Sequence, residues 1–352
     1  MDKHYDWIDN LKGIGIILVV FYHSMFPTDS IFREYFASFI VPLFFFISGF
    51  LYRQKPDFGI WDYMRSRFNR LIIPYIFFNI LTFLTFGVIS EKVNYLTIPG
   101  VTTFFKNLTF GIYSGQPNSN IANIPTWFLP CLFFTGLFYF LIDKNISGKF
   151  FKFLTILIIS VLIYLESKYL QFRMPFSMDI ALMSLFFYGL GNLFREEIIN
   201  FTNKINYWYL LLIPLLVSIT ILFLNVTQMS TNNYGNYFKL LICSFSGIIT
   251  FLIISKIIGK TFLGFYGENS VIVLCMEWIK GMTYSLFIKL SFHFLPSGPG
   301  YISGIVQTIS CLLFLIPIIF IIKRYFPFLI GNFKNKSSLD SPKESHNSIS
   351  LN

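Results

Sequence analysis

The chain has 352 residues, of which 55% are hydrophobic and only 12% are charged, and it carries a net charge of +10. A water-soluble domain of this length would be about 25% charged. The composition therefore excludes a water-soluble domain and indicates a multi-pass membrane protein. The positive charge does not indicate a nucleic-acid partner, because the basic residues lie in short segments between apolar runs.

Hydropathy predicts an all-α fold with about ten transmembrane helices. Residues 1–330 are expected to form one integral-membrane domain, and the Lys-, Ser- and Asn-rich residues 331–352 a disordered cytoplasmic tail. The ninth span differs from the others because it contains Glu277 and Lys280. The predicted spans are 11–27, 36–52, 71–90, 124–142, 150–165, 179–194, 207–224, 238–258, 270–292 and 301–322.

The distribution of basic residues predicts the orientation in the membrane. If the N-terminus is cytoplasmic, most of the 27 Lys and Arg residues fall in cytoplasmic segments, where such residues are enriched. Both termini are therefore expected in the cytoplasm. The longest outside loop, 91–123, has turn residues at 111–118 and is expected to cover the site.

The first span ends in an unusual residue, His23. A histidine in a hydrophobic span is costly, and it is either a functional base or a hydrogen-bond partner of a neighbouring helix. Lys12 and His23 are eleven residues apart, about three helical turns, so they share a face roughly 16 Å apart along the axis. Asp9 falls near the same face as a possible supporting group. Ser24 points about 100° away from His23, so a nucleophilic Ser–His pair is not expected.

Three arginines precede the third span: Arg65, Arg67 and Arg70. Arg67 and Arg70 are spaced i, i+3 and are expected on one helix face. One interpretation is anchoring at the cytoplasmic surface. The other is a clamp for the phosphates of a nucleotide-like donor, because guanidinium groups bind phosphate in a fork.

Several residues in later spans are candidate lining of an acceptor site. Trp127 lies between two prolines at an outer span end, where it either anchors the helix or lines the site. Asn269 and Ser270 are candidate helix caps and candidate lining residues. Glu277 and Lys280, spaced i, i+3, are expected to form an internal ion pair, and either could face the same cavity as His23.

Small residues in the second span favour close helix packing. Ser48 and Gly49 follow an aromatic run and allow another helix to approach, so packing is at least as well supported as a role in the site. The four cysteines lie singly in apolar runs without metal-ligand spacing, so we expect them to be buried and predict no metal site.

Five motifs together make the sequence resemble the membrane-bound acyltransferase-3 family, and most closely its fucose 4-O-acetylase-like branch. They occur in the family's order and approximate spacing over nearly the whole chain. The motifs are WIDNLKGIGIILVVFYH (7–23), VPLFFFISGFL (41–51), RFNRLIIPY (67–75), WFLPCLFF (127–134) and GENSVIVLCME (267–277).

The resemblance implies an O-acetyltransferase of a bacterial cytoplasmic membrane. Acetyl-CoA would be the donor substrate, with no tightly bound cofactor, and the acceptor a hydroxyl of an envelope glycan or lipid-linked sugar. His23 would be the essential histidine, and the region of Arg67 and Arg70 the basic motif on the donor side. Two positions depart from the family pattern: Lys12 replaces an arginine, and Glu277 replaces a histidine of many relatives.

Two other functions fit the same sequence. Ten helices with charges inside the membrane also suit a transporter or flippase for a lipid-linked sugar, although no paired halves with broken helices are apparent. A non-catalytic membrane scaffold is the third option, and His23, Glu277 and Lys280 argue mildly against it. The oligomeric state is left open by the sequence.

Overall fold

A computed structural model of the chain describes residues 4–27, 30–54, 59–89, 98–110, 123–225, 227–290 and 298–331. Among these residues every regular element is helical, apart from one β-bridge between Gln228 and Asn233, so the predicted all-α class is confirmed. The α-helices are α1 (Asp6–Tyr22), α2 (Ile31–Ala37), α3 (Ile40–Leu51), α4 (Ile60–Arg67), α5 (Ile73–Ile89), α6 (Ile98–Phe110), α7 (Phe128–Asn145), α8 (Lys149–Tyr169), α9 (Met178–Leu193), α10 (Arg195–Lys204), α11 (Leu212–Leu222), α12 (Tyr237–Ile258), α13 (Leu263–Glu268), α14 (Ser270–Met276), α15 (Lys280–Leu290) and α16 (Tyr301–Tyr325).

The described helices form seven runs that are long and apolar enough to cross a membrane. The number is eight if α10 and the segment Tyr207–Leu222, which meet at an angle of 101°, count as one span. The predicted number of ten is therefore not confirmed. Two predicted spans account for the difference between ten and eight: α1 has only 17 residues, and the ninth span is broken into α14, a 3₁₀ turn at Glu277–Ile279 and α15.

Some sequence predictions fall on parts of the chain without a described structure. The turns expected at 111–118 and the tail residues 332–352 lie outside the described residues. Within the predicted outer loop 91–123, residues 98–110 form α6.

The outer surface has the character expected of a protein in lipid. α8 exposes large apolar side chains along its length, including Phe150, Leu162 and Tyr169. In the most apolar stretch of α8, only 11% of the residues are buried within the protein. In lipid such a surface replaces the polar exterior of a soluble protein.

Helix α1 lies inside the bundle and packs against α3, α12, α13, α14 and α16. It runs antiparallel to α3, because the ring centroids of Trp7 and Phe50 are 5.4 Å apart, whereas Gly15 lies against Phe44. The residues near the start of α1 therefore lie beside the end of α3. This arrangement fixes which side chains of α3 face each half of α1.

Two helix crossings are close enough to require glycine. A Cβ atom on Gly49 of α3 would lie 1.8 Å from the carbonyl oxygen of Tyr188 in α9, and one on Gly191 would lie 2.1 Å from the carbonyl oxygen of Phe46. At the other crossing, a Cβ on Gly13 of α1 would lie 1.9 Å from the carbonyl oxygen of Leu263. The close approach predicted at Gly49 is confirmed, and both crossings hold helices that line the site.

Candidate active site

His23 is fixed by the end of α1. It follows the last helical residue, and its backbone N–H still donates to the carbonyl oxygen of Val19 at 3.1 Å. The backbone then leaves the helix at φ −90° and ψ 0°. The imidazole therefore projects from a rigid element, with 29% of its side chain exposed.

The partner of His23 is Glu277, which the sequence did not pair with it. Nδ1 of His23 lies 3.2 Å from Oε1 and 3.3 Å from Oε2 of the Glu277 carboxylate. Nζ of Lys280 lies 3.3 Å from the same Oε1, so the predicted ion pair between Glu277 and Lys280 is confirmed. The side chain of Glu277 is only 1% exposed. A carboxylate so far from water needs nearby cationic or hydrogen-bonding groups, and His23 and Lys280 supply them.

This geometry assigns the tautomer of His23. A carboxylate only accepts hydrogen bonds, so Nδ1 carries the proton and donates it to Glu277. Nε2 then keeps a lone pair and can accept a proton from another group. A histidine whose one nitrogen is held by a carboxylate, with the other available, is the arrangement of a general base in hydrolases and acyltransferases.

A buried amide network holds the helix break that presents Glu277. The break frees the carbonyl oxygen of Cys275, and Nδ2 of Asn123 donates to it at 2.5 Å. The backbone N–H of Asn123 donates to Oδ1 of Asn79 at 3.0 Å, and Nδ2 of Asn79 donates to Oγ1 of Thr126 at 2.8 Å. These contacts tie α14 to α5 and to the start of α7. They fix the carbonyl and thereby the position of Glu277 two residues later.

His23 opens onto a cavity of about 260 Å³, the central cavity. Lys12, Ile16 and Val19 of α1 line it together with His23 just after the helix, so the predicted shared face of Lys12 and His23 is confirmed. The cavity thus follows α1 for about three turns. Its walls are mostly apolar, with Val41, Phe44, Phe128 and Leu132 among them. An apolar passage with ionisable groups near its two ends suits a ligand that has an apolar arm and polar ends.

Two of the three residues predicted to line the acceptor site, Trp127 and Ser270, line the central cavity. Asn269 is not among the lining residues; it is 4% exposed, and its Nδ2 donates to the carbonyl oxygen of Phe265 at 2.6 Å. It occupies the position before α14 without capping that helix through its side chain. Asn269 therefore stabilises the junction of α13 and α14.

Asp9 acts at the opposite end from His23. Its Oδ1 lies 2.6 Å from Nζ of Lys12, and its Oδ2 lies 3.2 Å from Nε2 of His4. The carboxylate therefore partly balances the charge of Lys12 at the mouth of the central cavity. It makes no contact with His23, so the structure separates these two candidate residues.

None of the three arginines lines the central cavity. Arg65 and Arg70 are exposed, whereas Arg67 turns inward: its guanidinium lies 5.4 Å from the ring centroid of Tyr63, and Nη2 is 3.5 Å from the hydroxyl of Tyr188. A π-helical turn, Phe68–Ile72, begins between Arg67 and Arg70, so the shared face predicted from α-helical spacing is not confirmed. A π turn holds more residues than an α turn, so residues three apart no longer align.

Sequence reasoning missed two sets of polar residues. The first is the Asn79–Asn123 network. The second is the segment 227–230, which brings Thr227, Gln228 and Ser230 into the wall of the central cavity. The sequence contains a signal for this segment, because residues 225–236 are rich in Asn, Thr, Gln and Ser and lie between two apolar spans. The predicted topology places this segment on the same side of the membrane as His23.

Comparison with known proteins gives one match. A family model described as an acyltransferase domain matches residues 5–324, nearly the whole chain. The family is one of membrane acyltransferases, and the many apolar helices agree with a multi-pass membrane protein. No curated protein and no solved structure matches.

Proposed function

Since the chain belongs to the acyltransferase 3 family, we propose that it is an O-acetyltransferase that moves an acetyl group from acetyl-CoA to a sugar hydroxyl of a cell-envelope glycan. His23 is the general base. The observation that carries this proposal is the pair of His23 and the buried Glu277 at one end of a cavity that reaches Lys12. Family membership supports acyl transfer, and the site geometry supports the role of His23.

The chemistry follows from the two nitrogens of His23. Nε2 takes the proton of the acceptor hydroxyl as the hydroxyl oxygen attacks the thioester carbonyl. The tetrahedral intermediate then collapses, the C–S bond breaks, and the imidazolium returns the proton to the leaving sulfur. Glu277 holds the ring through Nδ1 and stabilises its positive charge between the two proton transfers. Lys280 keeps the carboxylate in place.

The central cavity gives the donor a path. In this proposal acetyl-CoA approaches from the cytoplasm, the side predicted for Lys12, and its apolar arm lies along the α1 face toward His23. The exposed Arg65 and Arg70, together with Lys12, contact the phosphates. Arg67 is engaged with Tyr63 and Tyr188, so it supports the helix that carries the other two.

Replacement of His23 tests the function. The His23→Ala variant should lose acetyl transfer by at least about a hundredfold, because no other described group is paired with Glu277 and Lys280 in this way. Membrane vesicles would be supplied with acetyl-CoA labelled in the acetyl group, and label in the glycan fraction would be counted. Mass spectrometry would compare the envelope glycan from cells with and without the gene. The glycan from cells with the gene should be heavier by the mass of one acetyl group per modified sugar.

The neighbouring residue provides a matched control. Ser24→Ala removes a hydroxyl that only donates to the carbonyl oxygen of Phe21, and it should transfer acetyl groups like the wild type. Full transfer by a well-inserted His23→Ala protein would overturn the role of His23. Loss of glycan export with unchanged acetylation on deletion of the gene would instead support a transporter.

A further inference from the structure

The segment between α11 and α12, residues 227–236, lies at the His23 end of the central cavity. Helix α12 packs against α1 and runs antiparallel to it. Nδ2 of Asn10, near the start of α1, donates to the carbonyl oxygen of Ser255, near the end of α12, at 3.4 Å. The start of α12, and the segment before it, therefore lie beside the end of α1, where His23 follows the helix.

Two further contacts agree with this placement. The ring centroids of Phe21, near the end of α1, and Phe36 of α2 are 5.9 Å apart. Just after α2, the carbonyl oxygen of Ser38 accepts a hydrogen bond of 2.9 Å from Oγ of Ser244, in the first half of α12. Helix α2 thus connects the end of α1 to the first half of α12.

The 227–236 segment is held in one conformation by its own hydrogen bonds. Nδ2 of Asn225 donates to the carbonyl oxygen of Tyr234 at 2.9 Å, and Oδ1 of Asn225 accepts from the backbone N–H of Asn236 at 2.9 Å. Between these ends, Gln228 and Asn233 exchange backbone hydrogen bonds of 2.9 and 3.3 Å. A wall that is already ordered loses little entropy when it binds a ligand.

Within this segment, Gln228 offers a free amide to the central cavity. The residue lines the cavity and is exposed, whereas Thr227 and Met229 beside it are buried. Its backbone N–H and carbonyl oxygen are engaged with Asn233, so the side-chain amide is the polar group that it presents there. Among the described residues, this amide has no hydrogen-bond partner. It supplies one acceptor and a donor with two hydrogens.

The side chains near His23 complete a surface that suits a sugar. Tyr22 and Trp127 both line the central cavity, and the ring centroid of Tyr22 lies 5.1 Å from that of His23. The guanidinium of Arg33 lies 4.8 Å from the centroid of the Tyr22 ring and holds that ring in place. Aromatic rings offer flat apolar surfaces, and the amide offers hydrogen bonds. A sugar ring presents the matching combination of C–H groups and hydroxyls.

We propose that Gln228 is a specificity-determining residue, which binds the acceptor sugar through a hydroxyl next to the one that His23 deprotonates. The amide oxygen accepts a hydrogen bond from this neighbouring hydroxyl, and the amide nitrogen donates to an oxygen of the same sugar. This inference rests on the proposed function for the identity of the ligand as the acyl acceptor. Binding of sugar at Gln228 can be tested without any acyl transfer.

Two variants separate the hydrogen bonds of the amide from the shape of the side chain. Gln228→Met removes the amide but keeps the length of the side chain, and Gln228→Ala removes both. Each would be made in the full-length His23→Ala protein, so that binding is measured without turnover. The matched control is Gln54→Met, because Gln54 is an exposed glutamine just after α3 that does not line the central cavity.

The probe is the oligosaccharide fraction released by mild acid from the envelope glycan of cells that lack the gene, so that its acceptor hydroxyls are free. Calorimetry would measure the affinity of each purified protein in detergent for this fraction and, separately, for acetyl-CoA. We expect both Gln228 variants to bind the oligosaccharide about tenfold more weakly, the effect of one lost hydrogen bond, and acetyl-CoA with unchanged affinity. Gln54→Met should bind both ligands like the His23→Ala parent.

The outcomes separate this inference from the proposed function. Oligosaccharide binding by the Gln228 variants equal to that of the control, or none by any protein, would overturn the role of Gln228. Weaker binding of acetyl-CoA as well would also contradict it, because the loss of both ligands indicates a changed cavity shape. Selective loss of oligosaccharide binding would support the role even if the wild-type protein transferred no acetyl groups. That last failure would overturn the proposed function alone.

Discussion

Glu277 is the residue on which the chemistry of His23 depends. Its carboxylate is almost fully removed from water, and among the described residues its ion-pair partners are Nδ1 of His23 and Nζ of Lys280. Coulombic attraction is stronger in such a setting than at a surface. The contacts at Nδ1 therefore hold the imidazole ring of His23 in one orientation. This makes Glu277 a positioning residue for the proposed base.

The Glu277→Gln variant tests this role. Glutamine keeps the size of the side chain but removes its charge, and its amide can hold the ring of His23 in the wrong tautomer. We expect acetyl transfer to slow about a hundredfold or more, with the KM for acetyl-CoA unchanged, because ground-state contacts of the donor remain. Steady-state kinetics in vesicles would measure both quantities.

A conservative replacement separates positioning from structure. Glu277→Asp keeps the charge and should recover much of the activity that Glu277→Gln loses. If the two variants were equally slow while both unfolded at the wild-type temperature, the charge of Glu277 would not be what supports His23. A raised KM with an unchanged kcat in Glu277→Gln would also contradict the role.

At the scale of helices, two glycine crossings set the width of the central cavity. Gly49 brings α3 against α9, and Gly13 brings α1 against α13. Since α1 and α3 both line the cavity, a shift at either crossing moves its walls. In lipid, helices associate through this kind of close packing, because no hydrophobic effect drives them together.

Gly49→Ala should therefore destabilise the protein by about 3 kcal/mol, the upper part of the range for overpacking. The added methyl group would meet the backbone carbonyl of Tyr188, which cannot rotate aside as a side chain can. Thermal unfolding in detergent measures the effect. Gly281→Ala is the control: the site is an exposed helical position with no atom within 4 Å of the added carbon. This change should not destabilise the protein and should stabilise it by up to about 1 kcal/mol, because alanine favours a helix more than glycine does.

At the scale of the whole molecule, the sequence predicted those features that depend on residues close together in the chain. The all-helical class, the common face of Lys12 and His23 and the ion pair of Glu277 with Lys280 all follow from the spacing of residues that are close together in the sequence. The pairing of His23 with Glu277 does not, because the two residues are 254 positions apart and meet only through packing of α14 against α1. The predicted cytoplasmic location of both termini stays a prediction.

The number of spans and the positions of Arg67 and Arg70 were not predicted correctly, because both depend on irregularities within helices. Hydropathy detects an apolar run but not a break inside it, so the 270–292 segment was predicted as one helix although the Asn123 amide stabilises a break there. A π-helical turn has no comparable sequence signal, and it separates Arg67 from Arg70. Both deviations lie beside the candidate site, where local regularity often gives way to function.

The central cavity as a donor path is a property of the whole bundle, and Ser48 is the place to block it. Because α3 runs antiparallel to α1, Ser48 faces the cavity near Lys12 and far from His23. Ser48→Phe should obstruct the acetyl-CoA arm and slow transfer roughly a hundredfold. Ser48→Ala, which leaves the path open, should transfer like the wild type in the same vesicle assay. Wild-type turnover by Ser48→Phe would show that the donor reaches His23 by another route, and equal losses in both variants would point to the serine hydroxyl instead.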